Sequence, residues 1–192
     1  MSALVTIAKD RHHSRSASPT STGTAEVTGA HSRSVNYLLA GIRLALGFIF
    51  FWAFIDKLFG LGHSTTSAKS WLNGGSPTAG FLGKAATGPF TSFYHSLAGT
   101  TFADVLFMAA LAGVGGALLL GIGMRIAAGS GALLLVFMWM ASLPLDNNPF
   151  MDDHIVYAIV LIGLAATHAG DTLGLGRRWA ESNLVHRFPA LR

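Results

Sequence analysis

Charge placed beside a long apolar run is costly and is usually kept for a purpose, so the ionisable residues there are the first to read for chemistry. Asp56 and Lys57 stand at the end of the first apolar run, Asp104 opens the second, and Asn147, Asn148, Asp152, Asp153 and His154 lead into the last. A lysine and a histidine beside carboxylates can hold an anion and relay protons, because imidazole titrates near neutrality and its partner sets its charge. The same acids have a plainer use. Asp104, Asp152 and Asp153 each fall where a helix would begin, negative charge is favoured there, and at least two of the three are expected to act as caps. Arg43, Arg125, His168 and Asp171 make a smaller set at the opposite ends of the runs.

Several chemistries are excluded at once. With no Cys there is no disulfide framework, thiolate metal site or Cys nucleophile. There is no phosphate loop, dinucleotide fingerprint, flavin motif or HExxH pair, and no metal site is expected. His154 and His168 share a helical face with Leu161 and Ala165, but as one continuous helix the two imidazoles would stand about 20 Å apart, too far to ligate one metal or one haem iron. The second and third runs contain no His to partner either of them.

The elements that must position these residues are membrane spans. The chain has 192 residues, 51% hydrophobic and only 11% charged, where a soluble domain has about 25% charged residues. Four apolar runs, at about 37–59, 104–122, 126–143 and 154–170, approach the ~20 residues needed to cross a bilayer, and in lipid only helices satisfy the backbone over such lengths. The expected fold is therefore all-α, a polytopic four-helix bundle occupying residues 36–176, with a tight hairpin joining its second and third helices. Residues 1–35, rich in Ser, Thr, His and Arg, read as a disordered tail without the apolar core of a secretory signal, so the first span is expected to be a retained anchor. Residues 177–192, with Trp179, Leu184, Phe188 and four Arg, read as a basic interfacial tail.

Lys and Arg set the orientation. Lys9, Arg11, Arg15, Arg33, Arg125, Arg177, Arg178, Arg187 and Arg192 fall on one side and Lys57, Lys69 and Lys84 on the other, which puts both termini in the cytoplasm. The net charge of +4 is thus explained by topology, and no nucleic-acid partner is expected. The long first outer loop, 60–103, has prolines at Pro77 and Pro89 and recurrent aromatics, and reads either as short interfacial helices able to fold over the bundle as a lid or as a segment that merely lies in the headgroup region. On the first helix Arg43, Gly47, Phe50, Phe54 and Lys57 share one face, with Arg43 and Lys57 able to reach the inner and outer headgroups. Glycines at 113, 115, 116, 121, 123, 129 and 131 allow close helix approach.

Four segments, in this order, resemble the DoxX/DoxD family, and more closely its DoxD branch: RLALGFIFFWAFIDKLFG from Arg43, WLNGGSPTAGFL from Trp71, GMRIAA from Gly123, and NPFMDDHIVYAIVLIGLAATHAGDTLGLGRRW from Asn148. The resemblance covers roughly residues 37–180. It implies a multi-pass protein of a bacterial or archaeal plasma membrane and a subunit of a thiosulfate:quinone oxidoreductase, which joins two thiosulfates to tetrathionate and passes two electrons to quinone. Lys57 and His154 are then expected to contact the anion, and Asp56, Asp104 or Asp153 to accept protons from the site. Arg43, Trp52 and His168 are expected to contact quinone, the only cofactor implied. Since the chain has no group that stores electrons, they would pass directly to quinone or through a second redox subunit, and homo-oligomers are compatible with the glycine faces. The competing expectation is a non-catalytic membrane scaffold that docks a redox or detoxification partner. A small-solute carrier is disfavoured by the absence of charge at mid-membrane depth in the middle helices.

Overall fold

The computed structural model describes residues 22–146 and 148–192, with side-chain surroundings from residue 32 onward. Every regular element among the described residues is helical: α1 Thr22–Phe59, α2 Thr91–Leu97, α3 Thr101–Leu120, α4 Met124–Ala141, α5 Asp153–Ala166, α6 Gly176–Ala180 and α7 Asn183–Arg187. Short 3-10 turns at Ser67–Lys69 and Trp71–Asn73 and a π turn at Phe81–Ala85 lie between α1 and α2.

Among the described residues three helices are long and apolar enough to cross a membrane: Ser32–Phe59 within α1, then α3 and α4. Their surfaces are apolar as well. No more than 39% of any of these apolar stretches is buried inside the protein, and Phe48, Ile49, Phe102, Leu106, Leu133 and Phe137 face outward. A helix apolar on all sides, yet covered by protein on only one, leaves a surface that water would not tolerate.

Two boundaries depart from expectation. α1 starts at Thr22, so residues 22–35 of the expected tail continue the helix of the span, whereas residues 1–21, with Lys9, Arg11 and Arg15, lie outside the described residues. Once a helix is nucleated each further residue adds one hydrogen bond at little cost, and no proline follows Pro19 to stop it. At the other end, α5 has 14 residues and so rises about 21 Å, less than the ~30 Å apolar core of a bilayer. It stops because His168 adopts the left-handed conformation (φ 51°), after which a 3-10 turn, Ala169–Asp171, carries the chain on with Ala169 and Gly170 buried.

One core joins four of the helices, with Leu46 and Phe50 of α1, Leu111, Val114 and Leu118 of α3, Leu135 of α4 and Leu161 and Leu164 of α5 closely packed. The face carrying Arg43, Gly47, Phe50, Phe54 and Lys57 is the seam against α3, where a Cβ on Gly47 would stand 3.0 Å from Leu118 and from Leu119. α3 and α4 form the expected hairpin, turning through Gly121–Gly123; Gly121 (φ 73°) donates its N–H to Ala117 O at 2.8 Å and closes the helix. The chain thus runs to and fro between a loop end, at Phe59, Thr101, Ala141 and Asp153, and a tail end, at Leu120, Met124 and Ala166.

Candidate functional site

At the loop end the acids predicted as reactive groups are drawn into holding the loop. Asp56, buried in the last turn of α1, accepts from Ser64 N–H at 3.0 Å, Ser64 Oγ at 2.7 Å and His63 N–H at 3.3 Å. Asp104, buried in the first turn of α3, accepts at Oδ1 from Ser76 Oγ (2.8 Å), Thr78 N–H (3.0 Å) and Thr78 Oγ1 (2.6 Å). The loop is therefore fastened at its start and near its middle, each time by a carboxylate that belongs to a long helix. A third fastening is Tyr94 of α2, whose hydroxyl donates to Phe137 O of α4 at 2.9 Å while its ring packs with Ala86 and Ala141. Burial there pushes the Tyr94 phenol up from its ordinary value.

Lys57 is half-buried between α1 and α3, with Nζ 5.9 Å from the centroid of the Phe107 ring. That geometry is a cation–π contact, which holds the ammonium near the seam without neutralising it.

His154 pairs with a carboxylate at this end. Its Nδ1 lies 2.6 Å from Asp152 Oδ2 and 3.6 Å from Asp153 Oδ1, and Asp152 also caps α5 through Oδ1 to Ile155 N–H at 3.2 Å. Of the three acids expected as caps, Asp152 alone caps by hydrogen bond: the cap of α3 is Thr100, Asp104 faces the loop, and Asp153 sits in the first turn of α5. Asp152, Asp153 and His154 bring one ligand atom each to within 4.8 Å of one another, so a cation could be contacted there. Motif searching missed this because consecutive residues at a helix start match no metal-ligand spacing. Among the described residues no hydrogen bond or ion pair links His154 to Asp56, Lys57 or Asp104. Asn147, expected beside them, lies outside the described residues.

The three residues expected to contact quinone are not brought together. Arg43 does not reach headgroups; it is fully buried and donates to the carbonyls of Leu118 and Leu119 (the latter at 3.1 Å), Thr172 (3.3 Å) and Leu173 (2.8 Å). Its planar fork closes the C-terminus of α3, where partial negative charge collects, and ties down the chain beyond α5. Trp52 lies nine residues further along α1, about 14 Å toward the loop end, stacked on Phe48 with centroids 5.9 Å apart and set edge-on to His63 at 5.3 Å. His168 sits exposed at the tail end, past the end of α5 rather than on its face. It lines, with Arg125, an open groove of about 380 Å³ between α4 and α5.

Ser64, Ser76 and Thr78 were not singled out from the sequence, and Tyr94 reads there only as one of the loop's recurrent aromatics. Clusters such as HSTTS and SPT mark polar loops able to satisfy a buried carboxylate, but nothing local says which carboxylate they meet.

Compared with known proteins, the chain matches no family model, no curated protein and no solved structure. Over the described residues, the class defined by the fold is an all-helical protein with three helices long and apolar enough to span a membrane.

Proposed function

We propose that α1, α3, α4 and α5 form a four-helix membrane bundle of a bacterial or archaeal plasma membrane, with both termini cytoplasmic, and that it serves as the membrane subunit of a quinone-linked sulfur oxidoreductase of DoxD type. Arg125, Arg177, Arg178, Arg187 and Arg192 gather at the tail end, against Lys57, Lys69 and Lys84 at the loop end, which favours a cytoplasmic tail end. The short α5 is compatible with spanning because the non-helical turn that continues it is covered by protein, the condition under which irregular backbone is tolerated at membrane depth.

The observation that carries the reaction is the His154–Asp152 pair, part-exposed at the loop end. Joining two thiosulfates forms one S–S bond and releases two electrons but no proton, whereas quinone takes up two electrons and two protons. The site must therefore deliver protons. His154, oriented by Asp152 at Nδ1, is built to pass protons through its other nitrogen, and Lys57 supplies positive charge for a divalent anion. Asp56 has both oxygens engaged by the loop and is assigned to structure. Electrons pass from sulfur to quinone directly or through a partner subunit.

One observation favours the scaffold reading: Asp56 and Asp104 both bind loop backbone and loop hydroxyls, which makes the loop end a fixed surface suited to docking. Thiosulfate-dependent reduction of a soluble quinone analogue by the purified chain, in native lipid and with membrane extract added, separates the two. Turnover abolished by His154→Ala and by Lys57→Ala, both still folded, supports the enzyme; no turnover in any arm leaves the scaffold.

A further inference from the structure

We propose that the groove between α4 and α5 at the tail end seats one anionic phospholipid, its phosphate held by Arg125 and His168 and an acyl chain laid along Ala128, Gly129, Ile162 and Ala165. The groove's volume of about 380 Å³ falls within the range of about 300–1,000 Å³ typical of small-molecule sites. Its wall is apolar because it is built from small residues. A Cβ on Gly129 would meet nothing within 4 Å, so the space along α4 is open rather than filled by a neighbour.

The charge at one mouth of that apolar slot is what selects the occupant. Arg125 is exposed and makes a single long side-chain hydrogen bond, from Nη1 to Pro189 O at 3.3 Å, which leaves most of its fork of donors for a phosphate. His168 is exposed and placed beside it by the left-handed turn that ends α5. Asp171, the carboxylate three residues on, is paired with Arg192 at 3.4 Å, so it does not cancel this charge. Exposed Leu173 and Leu175, followed by Arg177 and Arg178, have the make-up of a segment lying at a headgroup surface. A free anion would use Arg125 and His168 and ignore the slot; an apolar molecule would use the slot and ignore these two side chains. A phospholipid with net negative charge uses both, and the seat stands whether or not the loop end reacts.

The test is native mass spectrometry of the full chain in detergent, titrated with phosphatidylglycerol or phosphatidylcholine of the same chain length. One phosphatidylglycerol is expected to remain bound in preference to phosphatidylcholine, and Arg125→Gln is expected to weaken that preference about fivefold, the effect of one cation near a headgroup. Gly129→Leu keeps both Arg125 and His168 and enters open space; it is expected to lower retention of both lipids. Equal retention of the two lipids by the unaltered chain would overturn the proposal. So would an unchanged preference in the Arg125→Gln/His168→Gln double variant, undiminished retention in Gly129→Leu, or displacement by glycerol 3-phosphate, which has the phosphate but no chain.

Discussion

The carboxylate of Asp104 accepts both the backbone N–H and the hydroxyl of Thr78, at 3.0 and 2.6 Å, across 26 residues of chain. Both residues are buried, so the pair exchanges no water for its bonds and fixes the middle of the loop to the first turn of α3. Ser76 Oγ adds to the same oxygen at 2.8 Å. A hydrogen bond to a charged group contributes about 1.5–3 kcal/mol, and a buried group left without its partner costs more than the bond gains.

Replacing Asp104 with Leu is therefore expected to release the loop before it unfolds the helices. Trypsin cleavage after the exposed Lys84 should accelerate, while the helical signal in circular dichroism stays. A double-mutant cycle of Asp104→Asn with Thr78→Val should give a coupling of about 1–3 kcal/mol. Independent effects would mean that the loop is held by its other contacts.

The glycines of α3 are expected to divide sharply. A Cβ on Gly115 would stand 2.6 Å from the backbone nitrogen of Phe51, so α1 and α3 touch there through backbone; a Cβ on Gly116 would meet nothing within 4 Å. Gly115→Ala should cost about 1–3 kcal/mol through overpacking, and Gly116→Ala should be neutral or slightly stabilising, since Ala is the better helix former. Unfolding in mixed micelles reads both, and equal effects would contradict the seam.

The helices were legible in the sequence because long apolar runs bounded by polar loops are a local property of composition. The face of α1 was legible too, from the spacing of Arg43, Gly47, Phe50, Phe54 and Lys57 alone. What those residues do there was not: Arg43 looks like a headgroup anchor until the carbonyls of Leu118 and Leu173, distant in sequence, are found against it. Asp56 and Asp104 lie at one end of the helices, and their partners sit on loop positions whose approach no periodicity encodes. His168 was assigned to a helical face from spacing, and the left-handed turn that removes it depends on how Gly170 packs: a Cβ on that residue would stand 2.3 Å from Gly121 O.

Arg43 gives the clearest test of a planar fork against a point charge. Its two terminal nitrogens reach α3 on one side and Thr172 and Leu173 on the other, a span that one ammonium does not cover. Arg43→Lys is expected to cost about 3 kcal/mol despite keeping the charge. Tryptic cleavage after the exposed Arg177 or Arg178 should rise with it, because the segment before them loses its tie. Stability and cleavage like those of the unaltered chain would show that positive charge alone suffices.

Tyr94 supplies a pH dependence whose sign follows from its burial. The unfolded phenol loses its proton near pH 10, and the folded one does so higher, because burial disfavours the phenolate. The folded state therefore binds that proton more tightly, and the contribution is fully present below about pH 10 and lost as pH rises through the folded value. Ionisation also removes the donor to Phe137 O, so the loop's fastening to α4 goes with it. Unfolding midpoints followed above pH 10 should fall more steeply in the unaltered chain than in Tyr94→Phe, which starts lower for want of the hydrogen bond but has no proton to lose at this position. Parallel curves would assign the alkaline loss to other groups and leave the Tyr94 hydroxyl a neutral contact.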